Sequence, residues 1–438
     1  MTGQTMTPLA NALLANYDKA TDMAGFSGER LAWRLDAVSR IGKTPDGGSC
    51  RLGFSQEEQA AKDLVCDWMR ALGMAVRTDT AGNRFGRIAG RNDTLPVVLC
   101  GSHIDTVPNG GHFDGVLGVL LALEAAEMWK ARGFMPERPY EIVIFSEEEG
   151  SRFNVGLVGS SAMVGALPED GYATLQDQDG RSFASVVESA GLSLCRFSEA
   201  RRDLSGIAAF VEVHIEQGRV LEHENRQIGI VSGICGLVGL EMTVRGVAGH
   251  AGATPMPHRR DALVAASRMV TAISELPRRF SATAVATVGQ LNVLPNGANV
   301  VPGEVRFSVD IRDVEAQTLL RLTAGVIEAA HDIAALCRVE LSVLQTFSLQ
   351  PTPVSDKLRA MQGEAMRDLG LQPFALPSGA GHDAMLLGPH VPMAMFFVRS
   401  QDGISHNPRE FSTLNDCATA AHALSHVLSR LVSETNSV

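Results

Sequence analysis

Apolar and polar positions repeat with two different periods in the first part of the chain. The segment EEQAAKDLVCDWMRALG has apolar residues at helical spacing and stops at Gly73, which predicts an amphipathic helix. Two short apolar runs end in polar residues, LPVVLCGSHID and YEIVIFSEEEG, and GVLGVLLALEAAEMWKARG lies between them. This order predicts two buried strands of a mostly parallel sheet, joined by a crossover helix.

The hydrophobic pattern changes in the middle of the chain. Four strand-like runs and two long helical runs follow one another there: GLEMTVRG, RRDALVAASRMVTAISEL, AVATVGQLNVL, EVRFSVDIRD, EAQTLLRLTAGVIEAAHDIAALC and RVELSVLQTF. Their order is β-α-β-β-α-β, which folds as one sheet with both helices on one face. The first alternation of helices and strands then resumes. We therefore predict an α/β protein with one domain of residues 1–227 and 349–438 and an inserted ferredoxin-like domain of residues 228–348.

Length and charge exclude several classes of protein. At 438 residues the chain exceeds what one hydrophobic core usually supports, which agrees with two domains. The net charge of −11 gives no footprint for nucleic acid or an anionic membrane, since both need concentrated Lys and Arg. Apolar runs are interrupted by Gly or Glu well before they reach the length of a membrane span. We expect neither partner, and an anionic substrate would need its own local cation.

The cysteines and the first residues indicate the compartment. Seven cysteines are scattered along the chain without a CxxC pair, which is typical of single thiols in a reducing environment. The opening MTGQTMTPLANALLANYDKA lacks the basic start and the unbroken apolar core of a secretory signal. We predict a cytoplasmic protein.

Candidate metal ligands follow several of the strand-like runs. They are imidazoles and carboxylates, without thiolates: His103, Asp114, Glu149, His214 and His406. The carboxyl ends of parallel strands meet at one edge of a sheet, so these side chains are expected to converge. Such a set suits zinc, manganese, cobalt or nickel, and a central carboxylate can bridge two ions. The alternative for any one of them is a polar residue that is satisfied locally at a strand end.

Three further residues could bind a substrate. Arg312, in VDIRD, has the fork geometry for bidentate capture of a carboxylate, and the alternative is an ion pair with Asp310 or Asp313. Asn299 in NGANVVP and Gln217 in HIEQG could hydrogen-bond a carboxylate or a ureido group.

Six motifs resemble the hydantoinase/carbamoylase amidase branch of the metallopeptidase M20 superfamily. They are GSHIDTVPNGGHFDGVLGVL, SEEEGSRF, VEVHIEQG, GHAGATPM, LPSGAGHDA and DGISHNPRE. They occur in the family order from about Gly101 to Glu410. The resemblance implies a catalytic domain like that of metallo-aminopeptidases and an inserted domain that serves as lid and dimer interface.

The resemblance also implies roles for the clustered residues. Two divalent ions per subunit would share Asp114. Asp105 would orient the His103 ring and fix which of its nitrogens carries the proton. Glu148 would be the general base that takes a proton from the attacking water. The remaining ligands would be Glu149, His214 and His406. His112 and Glu147 are left as structural residues.

Substrate-side roles come from the resemblance alone for three residues. His250, by itself only a histidine in a glycine loop, would polarise the carbonyl and stabilise the oxyanion, in one chain or across a homodimer. Gly381 and His382 would contact the substrate.

The resemblance implies hydrolysis of the ureido group of N-carbamoyl-L-amino acids. Allantoate amidohydrolase and β-ureidopropionase are the alternatives, and Leu237, Val238 and Gly239 stand where we expect a polar grip in allantoate enzymes. A serine hydrolase or a dinucleotide enzyme is disfavoured because neither G-x-S-x-G nor G-x-G-x-x-G after the first strand is present. A non-catalytic scaffold is disfavoured by the intact ligand set together with Glu148.

Overall fold

The first two predicted strands pair in parallel and are completely buried. In this computed structural model, which describes residues 8–168 and 172–435, every residue of the strands Val97–His103 and Tyr140–Phe145 is buried. Val98 lies opposite Tyr140, and the helix Val116–Arg132 connects the two strands. The helix is apolar on nearly all sides, and it is therefore almost completely buried. The predicted strand–helix–strand unit is therefore confirmed.

The chain divides into two units. The larger unit contains residues up to 232, 354–376 and 382 onward, and the smaller unit contains residues 233–353 and 377–381. The strands, in chain order, are β1 Ala75–Thr78, β2 Arg84–Ile88, β3 Val97–His103, β4 Tyr140–Phe145, β5 Ile207–Ile215, β6 Ile228–Ile234, β7 Gly236–Arg245, β8 Gly249–His250, β9 Val285–Thr287, β10 Leu291–Leu294, β11 Val300–Val301, β12 Glu304–Asp313, β13 Glu340–Leu349, β14 Thr352–Pro353, β15 Ala375–Ser378 and β16 Met393–Val398.

Both units contain helices. In chain order the helices are α1 Pro8–Leu14, α2 Gly28–Ser39, α3 Gln56–Ala71, α4 Val116–Arg132, α5 Val158–Val164, α6 Phe183–Ser189, α7 Val220–His223, α8 Ala262–Glu275, α9 Ala316–Cys337, α10 Asp356–Asp368, α11 Ala384–Leu387 and α12 Leu414–Ser433. Helix α3 is the first one that the sequence predicted. Ser55 caps it by accepting a hydrogen bond from the Glu58 N–H, and Gly73, with a φ of +93°, follows its end. Within the described residues, no helix has the length and apolar content needed to cross a bilayer.

The main sheet is parallel at its centre and antiparallel at its sides. Its strand order is β1-β2-β4-β3-β5-β16-β6-β14, and β15 also pairs with β6. Strands β4, β3, β5 and β16 run parallel to their neighbours in that group. Strands β1, β2, β6 and β14 pair antiparallel. The predicted α/β class with a mostly parallel central sheet is thus confirmed, and the carboxyl ends of the four central strands share one edge.

The smaller unit is an antiparallel sheet packed against α8 and α9. The order is β10-β12-β7-β13, with β9 also paired to β12. Alternate residues of β12 are buried, and they join both helices in one core, as the two-residue period of a strand requires. One predicted strand, AVATVGQLNVL, is two strands here. Residues 288–290 interrupt it, and the Gln290 N–H donates to the Ser308 side chain instead of continuing a regular ladder.

Candidate metal centre

Five predicted ligands lie together in the larger unit as two groups that share Asp114. Within each group the ligand atoms lie within 4.8 Å of one another. The first group is His103, Asp114 and His214, and the second is Asp114, Glu149 and His406. The central strands place them: His103 ends β3 and His214 lies near the end of β5, while Glu149 follows β4. The convergence expected from the strand ends is therefore what the fold produces.

The two histidines of the first group are oriented by backbone carbonyls. His103 Nδ1 lies 3.1 Å from the Asp105 carbonyl oxygen, and His214 Nδ1 lies 2.9 Å from that of Ile215. Each Nδ1 therefore donates its proton, and each Nε2 faces Asp114 Oδ1, at 3.8 Å from His103 and 2.9 Å from His214. Neutral imidazole and carboxylate both offer lone pairs at this point, so the arrangement needs a cation or extra protons between them.

The second group is more open to solvent. His406 Nε2 lies 3.2 Å from Asp114 Oδ2 and 3.4 Å from Glu149 Oε2, and half of the His406 side chain is exposed. Asp105 also supports this group, because its Oδ2 accepts a hydrogen bond of 3.0 Å from the Glu149 N–H. Asp105 therefore contacts both groups, through its carbonyl and its carboxylate.

The pKa values of the ligands show the same demand for positive charge. Burial would raise the pKa of Asp114, but His214, His406 and His103 hold it well below its usual range. The hydrogen bond to Asp114 raises the pKa of His406 to about 9, and burial raises that of Glu149 to about 7. The histidines and the carboxylates therefore stabilise each other's charged forms. This nitrogen and oxygen donor set fits divalent cations, which would take the place of protons on these residues.

Glu148 lies beside the ligands without belonging to either group. Its Oε2 is 3.7 Å from His103 Nε2, and its side chain is 10% exposed. Burial, and next the charge of Asp383, raise the pKa of Glu148 well above its usual range, against the opposing effect of His103. A buried carboxyl that lies beside the predicted ligands is placed to exchange a proton there, and the role of Glu148 as general base stays a prediction.

Two residues around Asp114 were not predicted from the sequence. Glu410 Oε1 accepts hydrogen bonds from the Phe113 and Asp114 N–H groups, at 2.8 and 3.1 Å. Ser405 Oγ lies 3.0 Å from both Asp114 Oδ2 and Glu410 Oε2. Both lie in the motif DGISHNPRE, but nothing in its spacing shows that they contact residues almost 300 positions earlier.

The glycines of the opening motif make room for this arrangement. A Cβ atom on Gly111 would lie 2.1 Å from Glu410 Oε1, and one on Gly115 would lie 2.4 Å from His103 Nε2. Gly115 also has a φ of +64°, which favours glycine. The close approach of Gly111 to Glu410 and of Gly115 to His103 therefore requires glycine at both positions.

Gln217 and His382 lie close to the ligands. Gln217 Nε2 donates to Asp114 Oδ2 at 2.9 Å and lies 3.2 Å from Ser405 Oγ. His382 is 1% exposed, and its ring centroid is 4.5 Å from that of His214. Burial lowers the pKa of His382 well below its usual range, so this imidazole is neutral. Gly381 precedes it at the surface. Their substrate contacts remain predictions.

His250 and Asn299 are neighbours in the smaller unit. The Ala251 N–H donates to the Asn299 carbonyl oxygen, and Val300 of β11 pairs with His250 of β8. His250 Nδ1 accepts hydrogen bonds from the backbone N–H groups of Gly252 and Ala253, at 3.1 and 3.2 Å. The proton of the neutral ring therefore lies on Nε2, which makes Nε2–H the available donor.

Arg312 forms the ion pair that the sequence left as an alternative. Its Nε and Nη2 donate to the two oxygens of Asp310, at 2.7 and 2.9 Å, and its Nη1 donates to the Gly379 carbonyl oxygen at 2.6 Å. A guanidinium has five N–H groups, so among the described residues two remain for another acceptor. Carboxylate binding by Arg312 stays a prediction, and it would have to use the N–H groups that Asp310 and Gly379 leave.

His112 is held by structural contacts, as the sequence suggested. Its Nδ1 lies 2.9 Å from Ser49 Oγ and its Nε2 lies 3.0 Å from the Gly47 carbonyl oxygen. Burial lowers its pKa from 6.5 to about 4. The unfolded chain therefore binds this proton first, and stability that is complete above pH 6.5 is lost as the pH falls towards 4.

We expect His112→Gln to retain its metal and to resist acid better than the wild type. Between pH 8 and pH 5 the wild type should lose about 2 kcal/mol more of its free energy of unfolding, from the shift at this histidine. Denaturant unfolding at the two pH values measures this difference. Equal losses in the two proteins would contradict the assignment of a buried neutral histidine, and loss of metal would contradict its structural role.

Known proteins resemble the chain along most of its length. The family model of peptidase family M20/M25/M40 matches residues 99–430 of this chain. An N-carbamoyl-L-amino acid amidohydrolase of Geobacillus stearothermophilus is 45% identical, covering 92% of this chain and 98% of that protein. An allantoate amidohydrolase of Bacillus subtilis (strain 168) is 35% identical, covering 91% and 96%. The crystal structure of a hydantoinase/carbamoylase family amidase from Burkholderia multivorans has 37% identity and a TM-score of 0.87, covering 94% and 99%. The chain therefore belongs to peptidase family M20/M25/M40, among its hydantoinase/carbamoylase amidases.

Proposed function

We propose that the protein is a metal-dependent amidohydrolase that cleaves the ureido group of N-carbamoyl-L-amino acids. The products would be the amino acid, carbon dioxide and ammonia. The observation that carries the proposal is the pair of ligand groups joined by Asp114, with the non-ligand Glu148 beside them. The substrate class is supported by the 45% identity to an N-carbamoyl-L-amino acid amidohydrolase. Allantoate amidohydrolase, with a relative at 35%, is the second candidate.

The residues would divide the chemistry between them. Divalent ions held by the five ligands would supply Lewis-acid activation of water and of the carbonyl group. Glu148 would take the proton of the attacking water and pass it to the leaving nitrogen. His250 Nε2–H would donate to the carbonyl oxygen as negative charge develops on it. Arg312, Asn299 and Gln217, with Gly381 and His382, would bind the carboxylate and the ureido group.

We further propose two ions per subunit, drawn from zinc, manganese, cobalt and nickel, and a location in the cytoplasm. Two ions are supported by the geometry of Asp114, because its Oδ1 faces the first group and its Oδ2 faces the second. The nitrogen and oxygen donors favour these metals over the softer ones that select thiolates.

We propose that the smaller unit acts as a ferredoxin-like lid and as the interface of a homodimer. Strand β13 lies at the edge of its sheet and exposes large apolar side chains, among them Leu344, Phe347 and Leu349. An exposed apolar edge strand is normally covered or paired. Sedimentation at several protein concentrations would measure the association, and a monomer at all of them would refute the dimer.

A substrate panel tests the proposed reaction. The metal-loaded protein would be assayed for ammonia release from N-carbamoyl amino acids of both hands, β-ureidopropionate and allantoate. The proposal expects the highest kcat/KM with N-carbamoyl-L-amino acids. A preference for allantoate would favour the second candidate, and no hydrolysis with any of the four metals would exclude an amidohydrolase.

We expect Arg312→Lys to raise KM for carboxylate substrates by about 10- to 100-fold, the loss that corresponds to a charge-assisted hydrogen bond. An ammonium group cannot reproduce the planar edge that remains beside Asp310 and Gly379. Arg306→Lys is a suitable control, because Arg306 is on the same strand and its Nε bonds to Glu304 instead. Steady-state kinetics measure both variants, and an unchanged KM in Arg312→Lys would refute the carboxylate contact.

A further inference from the structure

A lysine is completely buried next to the turn that follows β4 and carries Glu147, Glu148 and Glu149. Lys62 of α3 is 0% exposed, and its Nζ lies 2.5 Å from Glu58 Oε1, one helical turn earlier. Nζ also donates to Ser146 Oγ at 2.7 Å and to the Gly82 carbonyl oxygen at 3.3 Å. Lys62 Nζ thus donates two hydrogen bonds and lies at ion-pair distance from Glu58. A well-packed apolar side chain is often at least as stable as a buried ion pair, so stability alone does not account for the lysine.

Ser146 is the link between Lys62 and the acidic turn. It follows the last residue of β4 and precedes Glu147, Glu148 and Glu149. Its N–H donates to Asn83 Oδ1 at 3.1 Å, and its carbonyl oxygen accepts from the Gly159 N–H at 2.9 Å. The backbone of Ser146 is therefore held on both sides, and its hydroxyl is held by Lys62.

Glu58, the partner of Lys62, binds the turn at Gly53 and Phe54, and this turn lies against Glu147. Glu58 Oε2 accepts a hydrogen bond of 2.6 Å from the Phe54 N–H, and Phe54 has a φ of +59°. The preceding Gly53 lies against Glu147, since a Cβ atom there would be 1.3 Å from Glu147 Oε2. Lys62 thus contacts Ser146 directly, and Glu58 binds Phe54, which follows the glycine that lies against Glu147.

We propose that Lys62 is a positioning residue for Glu148. Through Ser146, and through Glu58 and the turn at Phe54, it fixes the position of the Glu148 carboxylate after the end of β4. It would touch neither the substrate nor the reacting atoms. The inference rests on the proposed function only for the role of Glu148.

Ser146→Ala tests this link, because it removes the hydroxyl that binds Lys62 and leaves the Lys62–Glu58 pair in place. We expect kcat to fall by about 10-fold with KM within about twofold, since displacement of a reacting group by ~1 Å can cost up to 100-fold. Ser39→Ala is the matched control. Ser39 is also buried, and its hydroxyl bonds to a backbone carbonyl in α2. Lys62→Met, where it folds and retains metal, should show at least the same loss of kcat.

The double variant separates positioning from general destabilisation. If Ser146 acts through Glu148, adding Ser146→Ala to Glu148→Gln should change the residual kcat by less than about twofold, because the positioned group is already absent. A further 10-fold loss in that background would overturn the inference, as would an unchanged kcat in Ser146→Ala alone while Glu148→Gln is impaired. Full activity of Glu148→Gln would instead overturn the proposed function, and the positioning role with it.

Discussion

Glu148→Gln is expected to lower kcat by about 10²- to 10⁴-fold, the usual contribution of a general base, while its metal content stays almost unchanged. The side chain contributes to neither ligand group, so the ions should bind as before. The amide has nearly the same shape but cannot accept and return a proton at this position. Metal analysis by mass spectrometry and steady-state kinetics on the same preparation measure the two quantities together.

The neighbouring glutamate provides a control for this substitution. Glu147 is completely buried and packs against Gly53, and burial raises its pKa well above its usual range. A neutral carboxyl group closely resembles an amide, so Glu147→Gln should keep kcat within about threefold, as expected for a near-isosteric change. Near-normal kcat in Glu148→Gln, or equal losses in both variants, would remove the assignment of Glu148 as the general base.

The features that the sequence predicted well are those whose pattern is local. The runs that became β3 and β4 are continuous in sequence and fully buried, and the helix between them is apolar on nearly all sides. The predicted ligands at their ends lie together because a parallel sheet brings its carboxyl ends to one edge. The split between β9 and β10 was not predicted, because it depends on how each half pairs with β12.

Contacts between distant segments set the limit of the sequence argument. Glu58 and Lys62 have the i, i+4 spacing of an ordinary surface pair, yet both are completely buried. Ser405 and Glu410 act on Asp114 only because the loop after β16 folds over the start of α4. Arg312 shows the converse case. The ion pair with Asp310 is local and was considered from the sequence. The structure adds that Asp310 occupies the Nε and Nη2 edge of the guanidinium.

Asp114→Ala should abolish metal binding at both positions and reduce activity to background. Asp114 is the only residue common to the two ligand groups found among the described residues, with a different oxygen facing each group. Loss of a residue that merely supports a ligand commonly lowers metal affinity by about 10- to 100-fold, so loss of the shared ligand should lower it by more. Dialysis against a chelator followed by titration with Mn²⁺ or Zn²⁺ measures the number of ions and their affinities.

Variants of the unshared ligands make the test of Asp114 specific. His214→Asn removes a ligand from the first group only, and Glu149→Gln removes one from the second only, so each should weaken one class of ion. In Asp114→Ala both classes should be lost together, because neither His103 with His214 nor Glu149 with His406 alone completes a site of three protein ligands. Wild-type protein with full activity and a single bound ion would refute the two-ion site. An Asp114→Ala protein that still binds one ion tightly would show that Asp114 belongs to one group and does not bridge.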